Sequence, residues 1–303
     1  MNKFPLGINP KIFINNLREI GWEASDLLLY YSRFLNELGN KVKPEKTGSN
    51  WDPVTIADLK VNELVITKIE KNFRDINWDL LSEENVKSTK EKFVFKSKWL
   101  WILDPLDGTK DFIQGSGNFA MHLGLNYKNK PFLGLVLIPK KNELWITDGD
   151  RVWGEKKDGT FFDPKISNFK NLKDMRLVTS KNHGNKNLEK LIHKINFKQV
   201  MVMGSIGCKI ASILRGESDI YISLSLPGKS SPKDWDFAAP HAVLKAAGGA
   251  ITNLDNEELT YNNPNFEQRG VIIATSNKEN HKLICSQIKE TIKAFSIFPI
   301  NPN

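Results

Sequence analysis

The stretch Trp99-Leu100-Trp101-Ile102-Leu103-Asp104-Pro105-Leu106-Asp107-Gly108-Thr109 constrains this chain more than any other. Its first five residues are a continuous apolar run of the length of a buried strand, and they deliver Asp104 at its end. Pro105 has no N–H and a fixed φ, so the strand is expected to stop there. It also biases Asp104 towards an extended backbone, while Gly108 permits a sharp change of direction and the close approach of a ligand. Two carboxylates are thereby aimed into one small space. Taken alone, Asp-Pro-Leu-Asp-Gly is equally an ordinary turn signature, so its meaning depends on what else the chain supplies.

Three other segments supply acids in comparable settings. Asp52-Pro53-Val54-Thr55-Ile56-Ala57-Asp58 puts Asp58 at an expected helix start, Leu80-Leu81-Ser82-Glu83-Glu84 ends an apolar step on paired glutamates, and Lys233-Asp234-Trp235-Asp236-Phe237-Ala238-Ala239 puts Asp236 at another helix start. Singly, Asp58 and Asp236 read as helix N-caps and Glu83/Glu84 as a solvated pair. Together with Asp104 and Asp107 they are hard to dismiss as local structure.

Periodicity organises the rest. Lys11 to Leu38 has helical spacing and stops at Gly39, and Asn40 to Asp52 reads as a loop. A second helix from Asp58 sets Val61, Val65, Ile69 and Phe73 on one face. Phe119 to Asn126, Phe132 to Pro139, Glu143 to Asp148 and Arg151 to Glu155 then read as an antiparallel meander. From about Met175 strands alternate with helices: strands at Arg176 to Thr179, Val200 to Met203, Ile220 to Leu224 and Val271 to Ala274, and helices near Leu188, from Ile206, from Phe237 to Ala247 and at the end. This predicts an antiparallel α+β half, residues 1–170, followed by an α/β half, residues 171–303.

Length and composition set limits. A chain of 303 residues affords a sizeable core and an interdomain cleft. No apolar run approaches the roughly 20 residues of a membrane span. The N-terminal Met1-Asn2-Lys3-Phe4-Pro5-Leu6-Gly7 is broken before an apolar signal core forms, so a cytoplasmic protein is expected. Cys208 and Cys285 are too few for a disulfide framework and read as free buried thiols. The net charge of +8 raises the question of nucleic acid, but the lysines are scattered without aromatic interleaving and read as a solvated face.

The four acidic segments, in this order, resemble the lithium-sensitive, magnesium-dependent phosphatases that include inositol monophosphatase and the 3'(2'),5'-bisphosphate nucleotidases. The match spans about residues 50 to 250 and runs on to Ala247-Gly248-Gly249. The resemblance implies a layered αβαβα sandwich of the sugar-phosphatase type, with Glu83, Asp104 and the Leu106 carbonyl holding one Mg²⁺ and Asp104, Asp107 and Asp236 a second. A third ion near Glu83 and Asp58 occurs in some relatives. Independently, an all-oxygen ligand set without His or Cys favours a hard cation over zinc. The implied reaction is in-line attack of a metal-activated water on a phosphate monoester. Thr109, supported by Asp58, would orient that water, and the N–H groups of Gly108 and Thr109 would cradle the phosphate.

The substrate expectation rests on fewer residues. Thr109-Lys110-Asp111-Phe112 and Gly204-Ser205-Ile206-Gly207-Cys208-Lys209 resemble the nucleotidases more than the inositol monophosphatases, which implies that Lys110, Ser205 and Lys209 contact substrate. Lys209, Lys229 and Lys233 are candidates for the second phosphate; Lys46 lies where relatives keep an active-site lysine, and His241 reads as a packed or exposed helix residue. The implied function is hydrolysis of 3'-phosphoadenosine 5'-phosphate, a by-product of sulfate assimilation, and of its sulfated form. Inositol phosphate or fructose 1,6-bisphosphate hydrolysis, and a nonenzymatic nucleotide or RNA-binding module, are the alternatives. The expected partner is a small phosphorylated nucleotide, with no membrane and no nucleic acid, and monomer and homodimer both stay open.

Overall fold

A computed structural model of the chain describes residues 4–5, 7–38, 53–89, 92–180, 186–226 and 230–298. Gly39, the loop expected from Asn40 to Asp52, Lys46 and Lys229 lie outside the described residues.

Helices α1 (Pro10–Leu38) and α2 (Pro53–Asn72) open the fold. A seven-stranded sheet follows: β1 (Asp79–Ser82), β2 (Trp99–Asp107), β3 (Ala120–Tyr127), β4 (Lys130–Ile138), β5 (Glu143–Thr147), β6 (Val152–Glu155) and β7 (Phe161–Phe162), in that spatial order. The short helices α3 (Glu83–Ser88) and α4 (Thr109–Ile113) start where β1 and β2 end. A five-stranded sheet takes the second half, with β8 (Arg176–Ser180), β9 (Gln199–Met203), β10 (Ile220–Ser225), β11 (Ala250–Asn253) and β12 (Gly270–Thr275) in the order β11-β12-β10-β8-β9. Its helices are α5 (Lys186–Ile195), α6 (Ile206–Leu214), α7 (Asp234–Ala246) and α8 (Lys278–Ala294).

The apolar faces stack these elements into five layers. Val61, Val65, Ile69 and Phe73 of the second helical segment are buried as their four-residue spacing predicts, and with α1 they cover one face of the first sheet. Helices α6 and α7 cover the opposite face and are themselves covered by the second sheet; Ile102 and Val136 join Ile210, Val243, Val178 and Ile272 in one cluster. Helices α5 and α8 close the far side of the second sheet. The order is helices, sheet, helices, sheet, helices, which is the αβαβα sandwich.

The antiparallel meander from β3 to β6 agrees with the sequence reading, and the structure extends it by β2 on one side and β7 on the other. The expected stop at Pro105 does not, because β2 runs through it to Asp107. Two features permit this. Strand β1 pairs with β2 only as far as Leu103, and β2 carries a register shift between Asp104 and Asp107 against β3. The missing N–H of Pro105 thus falls at a bulge, where a ladder bond is not required. Asp58 likewise does not start its helix: α2 begins at Pro53, with proline at its first position, so Asp58 lies inside the helix and is no N-cap.

Candidate active site

Residues three apart on a regular strand point to opposite faces. Asp104 and Asp107 escape this rule because the bulge adds one residue: Asp104 lies opposite His122 and Asp107 opposite Ala120, so three steps on β2 match two on β3. Both carboxylates therefore emerge on the side covered by α7. That helix approaches closely because Gly124 and Gly134 leave room beneath Ala238 and Ala239. Its first turn adds Asp236, whose Oδ2 accepts from the Lys233 N–H at 2.6 Å. Among the described residues, Asp104, Asp107 and Asp236 bring one carboxylate oxygen each to within 4.8 Å of one another.

The surroundings hold each carboxylate differently. Asp104 is buried and accepts from the Leu106 N–H at 3.1 Å. Asp107 Oδ2 accepts from Ser205 Oγ at 2.7 Å, from the Ile206 N–H and from the Gly207 N–H at 3.4 Å, all at the start of α6. Glu83 begins α3 and pairs with Lys87 Nζ at 3.0 Å. Asp58 is buried in α2. Gly108 turns the chain at φ +88°, and a Cβ there would meet the Asn118 carbonyl at 2.8 Å. Thr109 follows as the first residue of α4, its hydroxyl 3.4 Å from the Leu106 carbonyl.

The electrostatics show an excess of negative charge. Burial holds Asp104 well above the usual carboxylate range, and the charges of Glu83, Asp107, Asp236 and Asp58 push it further. Burial and the charge of Asp107 do the same to Asp236, and burial raises Glu83. Carboxylates crowded this way are stabilised by a cation among them, and an oxygen-only donor set suits a hard divalent ion. The residues present fit Mg²⁺.

The expected substrate residues fare unevenly. Ser205 donates its hydroxyl to Asp107 and accepts from the Cys208 N–H at 3.2 Å, so it holds the carboxylate and caps the helix. Lys209 is only 3% exposed, which keeps its ammonium from solvent. It donates to the Ser205 carbonyl at 3.1 Å and lies 5.3 Å from the Tyr221 ring centroid. Burial lowers its pKa, against which Asp107, Cys208, Asp236 and Asp111 act. Lys233 is committed to the Asn265 carbonyl at 3.1 Å and Glu267 at 3.2 Å. Lys110 is exposed on α4. His241 is buried with Nδ1 2.9 Å from the Tyr261 hydroxyl, as a packed helix residue. Both cysteines are free and buried.

One residue of the site escaped the sequence reading. His122 is fully buried, with Nε2 3.5 Å from Asp107 Oδ2 and Nδ1 3.9 Å from Asp104 Oδ2 and 3.4 Å from the Trp235 carbonyl. A signal existed: it is the polar interruption of the apolar run from Phe119 to Leu125.

A family model described as the inositol monophosphatase family matches residues 13–293. The chain belongs to the inositol monophosphatase family. Among curated proteins, it is 30% identical over 221 residues to the 3'(2'),5'-bisphosphate nucleotidase CysQ of Buchnera aphidicola, covering 72% of this chain and 76% of that protein. It is 28% identical to the CysQ of Aggregatibacter actinomycetemcomitans, over 84% of this chain and 91% of that one. Among solved structures, an inositol monophosphatase from Zymomonas mobilis superposes with a TM-score of 0.70 at 20% identity, over 92% of this chain and 98% of that one. One from Anabaena gives 0.67 at 22% identity, over 95% and 96%. These structures share the fold of this family member. No described helix is long and apolar enough to cross a membrane.

Proposed function

We propose that this protein is a Mg²⁺-dependent phosphoric monoester hydrolase that removes the 3'-phosphate of 3'-phosphoadenosine 5'-phosphate, and of 3'-phosphoadenosine 5'-phosphosulfate. The observation that carries the reaction class is the convergence of Asp104, Asp107 and Asp236 beside the Gly108–Thr109 turn. The nucleotide preference draws support from the CysQ relatives and from Thr109-Lys110-Asp111-Phe112.

Glu83, Asp104 and the Leu106 carbonyl would hold one Mg²⁺, Asp104, Asp107 and Asp236 a second, and Glu83 with Asp58 a third. Bound there, the cations supply Lewis-acid stabilisation of phosphoryl oxygens and make water a nucleophile near neutral pH. The protein's own contribution is placement. Asp107 keeps Oδ1 for a cation because α6 occupies Oδ2. Gly108 and Thr109 N–H groups hold phosphate oxygens, with the 3'-oxygen opposite the attacking water. Thr109 would orient that water and accept its proton while passing its own hydroxyl proton towards Asp58, since a threonine hydroxyl is a weak base without an acceptor of its own. Lys110, exposed one residue further on, contacts the nucleotide.

Phosphate release with Mg²⁺ from 3'-phosphoadenosine 5'-phosphate, inositol 1-phosphate and fructose 1,6-bisphosphate, compared side by side, tests the reading. The nucleotide is expected to be the fastest. Preference for inositol phosphate would overturn the substrate, and no release from any of the three would leave a nucleotide-binding module.

A further inference from the structure

We propose that His122 is a positioning residue of the acidic cluster, fixing Asp107 through an Nε2–H donated to Asp107 Oδ2; the inference rests on the metal-site reading above. Strand register sets His122 directly opposite Asp104, so its ring rises from the sheet among the ligand carboxylates. The ring is fully buried, and the polar groups at its edges are acceptors: the Trp235 carbonyl at 3.4 Å and Asp104 Oδ2 at 3.9 Å from Nδ1, and Asp107 Oδ2 at 3.5 Å from Nε2. Nε2 makes no hydrogen bond, and the nearest acceptor it faces is Asp107 Oδ2. A buried ring nitrogen is rarely left so, and the group it faces is the carboxylate.

The contacts around the ring are built, not incidental. A Cβ on Gly207 would strike His122 Nε2, so the glycine in α6 leaves the room that lets the ring lie against Asp107. Asp107 Oδ2 is then gripped from two sides, by Ser205 Oγ and the Ile206 N–H from α6 and by the imidazole from β3. The contacts of Nδ1 with the Trp235 carbonyl at 3.4 Å and of Nε2 with Asp107 Oδ2 at 3.5 Å are both long for a hydrogen bond, and only the second faces a charged acceptor. A charge-assisted bond is the stronger use of the single ring proton, which assigns it to Nε2. Trp235 directly precedes Asp236, so the other edge of the ring packs against the turn of α7 that carries the third carboxylate. Groups that orient ligands in this way govern how tightly a metal is held.

The test measures cation binding itself, by Tb³⁺ luminescence titration with Mg²⁺ competition, on His122→Leu and His122→Gln. The glutamine amide can place an N–H near the position of Nε2; leucine cannot. His122→Leu is expected to weaken Mg²⁺ binding about tenfold and His122→Gln to recover most of the loss. A purely structural role would lower the unfolding midpoint in EDTA for both variants and leave their cation affinities equal. If His122→Leu does not fold, His122→Asn replaces it, because its shorter amide falls short of Asp107, and the glutamine variant is then expected to bind several-fold tighter. Equal affinities for wild type and the variant without the reach would overturn the role of His122 alone. A wild-type protein that binds neither Mg²⁺ nor Tb³⁺ would overturn the metal site and this inference with it.

Discussion

At Gly108 the main chain takes φ +88°, and the Asn118 carbonyl, the Phe119 Cα and Ser205 Cβ crowd the place where a side chain would begin. Alanine there meets both a left-handed backbone and a steric overlap, so Gly108→Ala is expected to cost about 1–2 kcal/mol in a urea unfolding experiment and to depress turnover by turning Thr109 away. Asp107 is loaded differently. Its charge helps push Asp104 and Asp236 upward, so Asp107→Asn removes a proposed ligand and a repulsion together. Mg²⁺-dependent phosphate release should vanish while the unfolding midpoint in EDTA stays at or above that of wild type. An active, normally metal-dependent variant would remove Asp107 from the site. The carboxylates were legible because their spacing with Pro105 and Gly108 is written locally. The commitments of Ser205, Lys209 and Lys233 were not, since each depends on a partner far along the chain: Asp107 for Ser205, burial between the two sheets for Lys209, and Glu267 for Lys233.

Among the elements, β2 and α7 make the site. The bulge in β2 turns an unfavourable spacing into convergence, and no periodicity announces it, because the extra residue is defined only against β3. Short strands were missed for a related reason: Asp79–Ser82 and Ala250–Asn253 carry too few residues to show alternation, and only their pairing partners make them strands. Helix α7 lies so close to β4 that a Cβ on Gly134 would meet the Ala239 carbonyl at 2.5 Å. Gly134→Ala should therefore lower stability by about 1–3 kcal/mol through overpacking, and it should also weaken Mg²⁺ binding, because the helix it displaces carries Asp236. Helix α8 offers an independent pH test away from the acids. His281 is buried between Thr252 and Thr275, with each hydroxyl oxygen 2.7 Å from a ring nitrogen, and burial pushes its pKa down from 6.5 to about 4. Above pH 6.5 the ring is neutral in both states and its contribution is complete. Between 6.5 and 4 the unfolded chain binds the extra proton, so stability falls with acid, by about 3 kcal/mol at the lower end. His281→Gln should flatten the pH dependence of the unfolding free energy across that window, and an unchanged slope would show that the ring does not titrate between folded and unfolded states.

On the scale of the molecule, the order of the longer strands and helices was readable along the chain, but their interleaving was not. A division near residue 170 separates the two sheets in sequence, yet the layer between them, α6 and α7, comes from the second half and covers the first sheet. Ile102, Val136 and Trp145 from the first sheet share one apolar cluster with Ile210 and Val243 from that layer and with Tyr221 and Ile272 from the second sheet. Separating the halves at residue 170 would expose this face of the first sheet to water and remove Asp236 from Asp104 and Asp107. The cost of uncovering apolar surface, about 25 cal/mol per Å², acts along the whole layer, so each half loses the shared cluster when the other unfolds. Thermal unfolding in EDTA is therefore expected to give one transition, with calorimetric and van't Hoff enthalpies in agreement. Residues 1–170 expressed alone should bind the hydrophobic dye ANS and lose near-ultraviolet dichroism. Two resolved transitions, or a well-packed 1–170 fragment, would make the halves independent domains and the acidic cluster an interface between them.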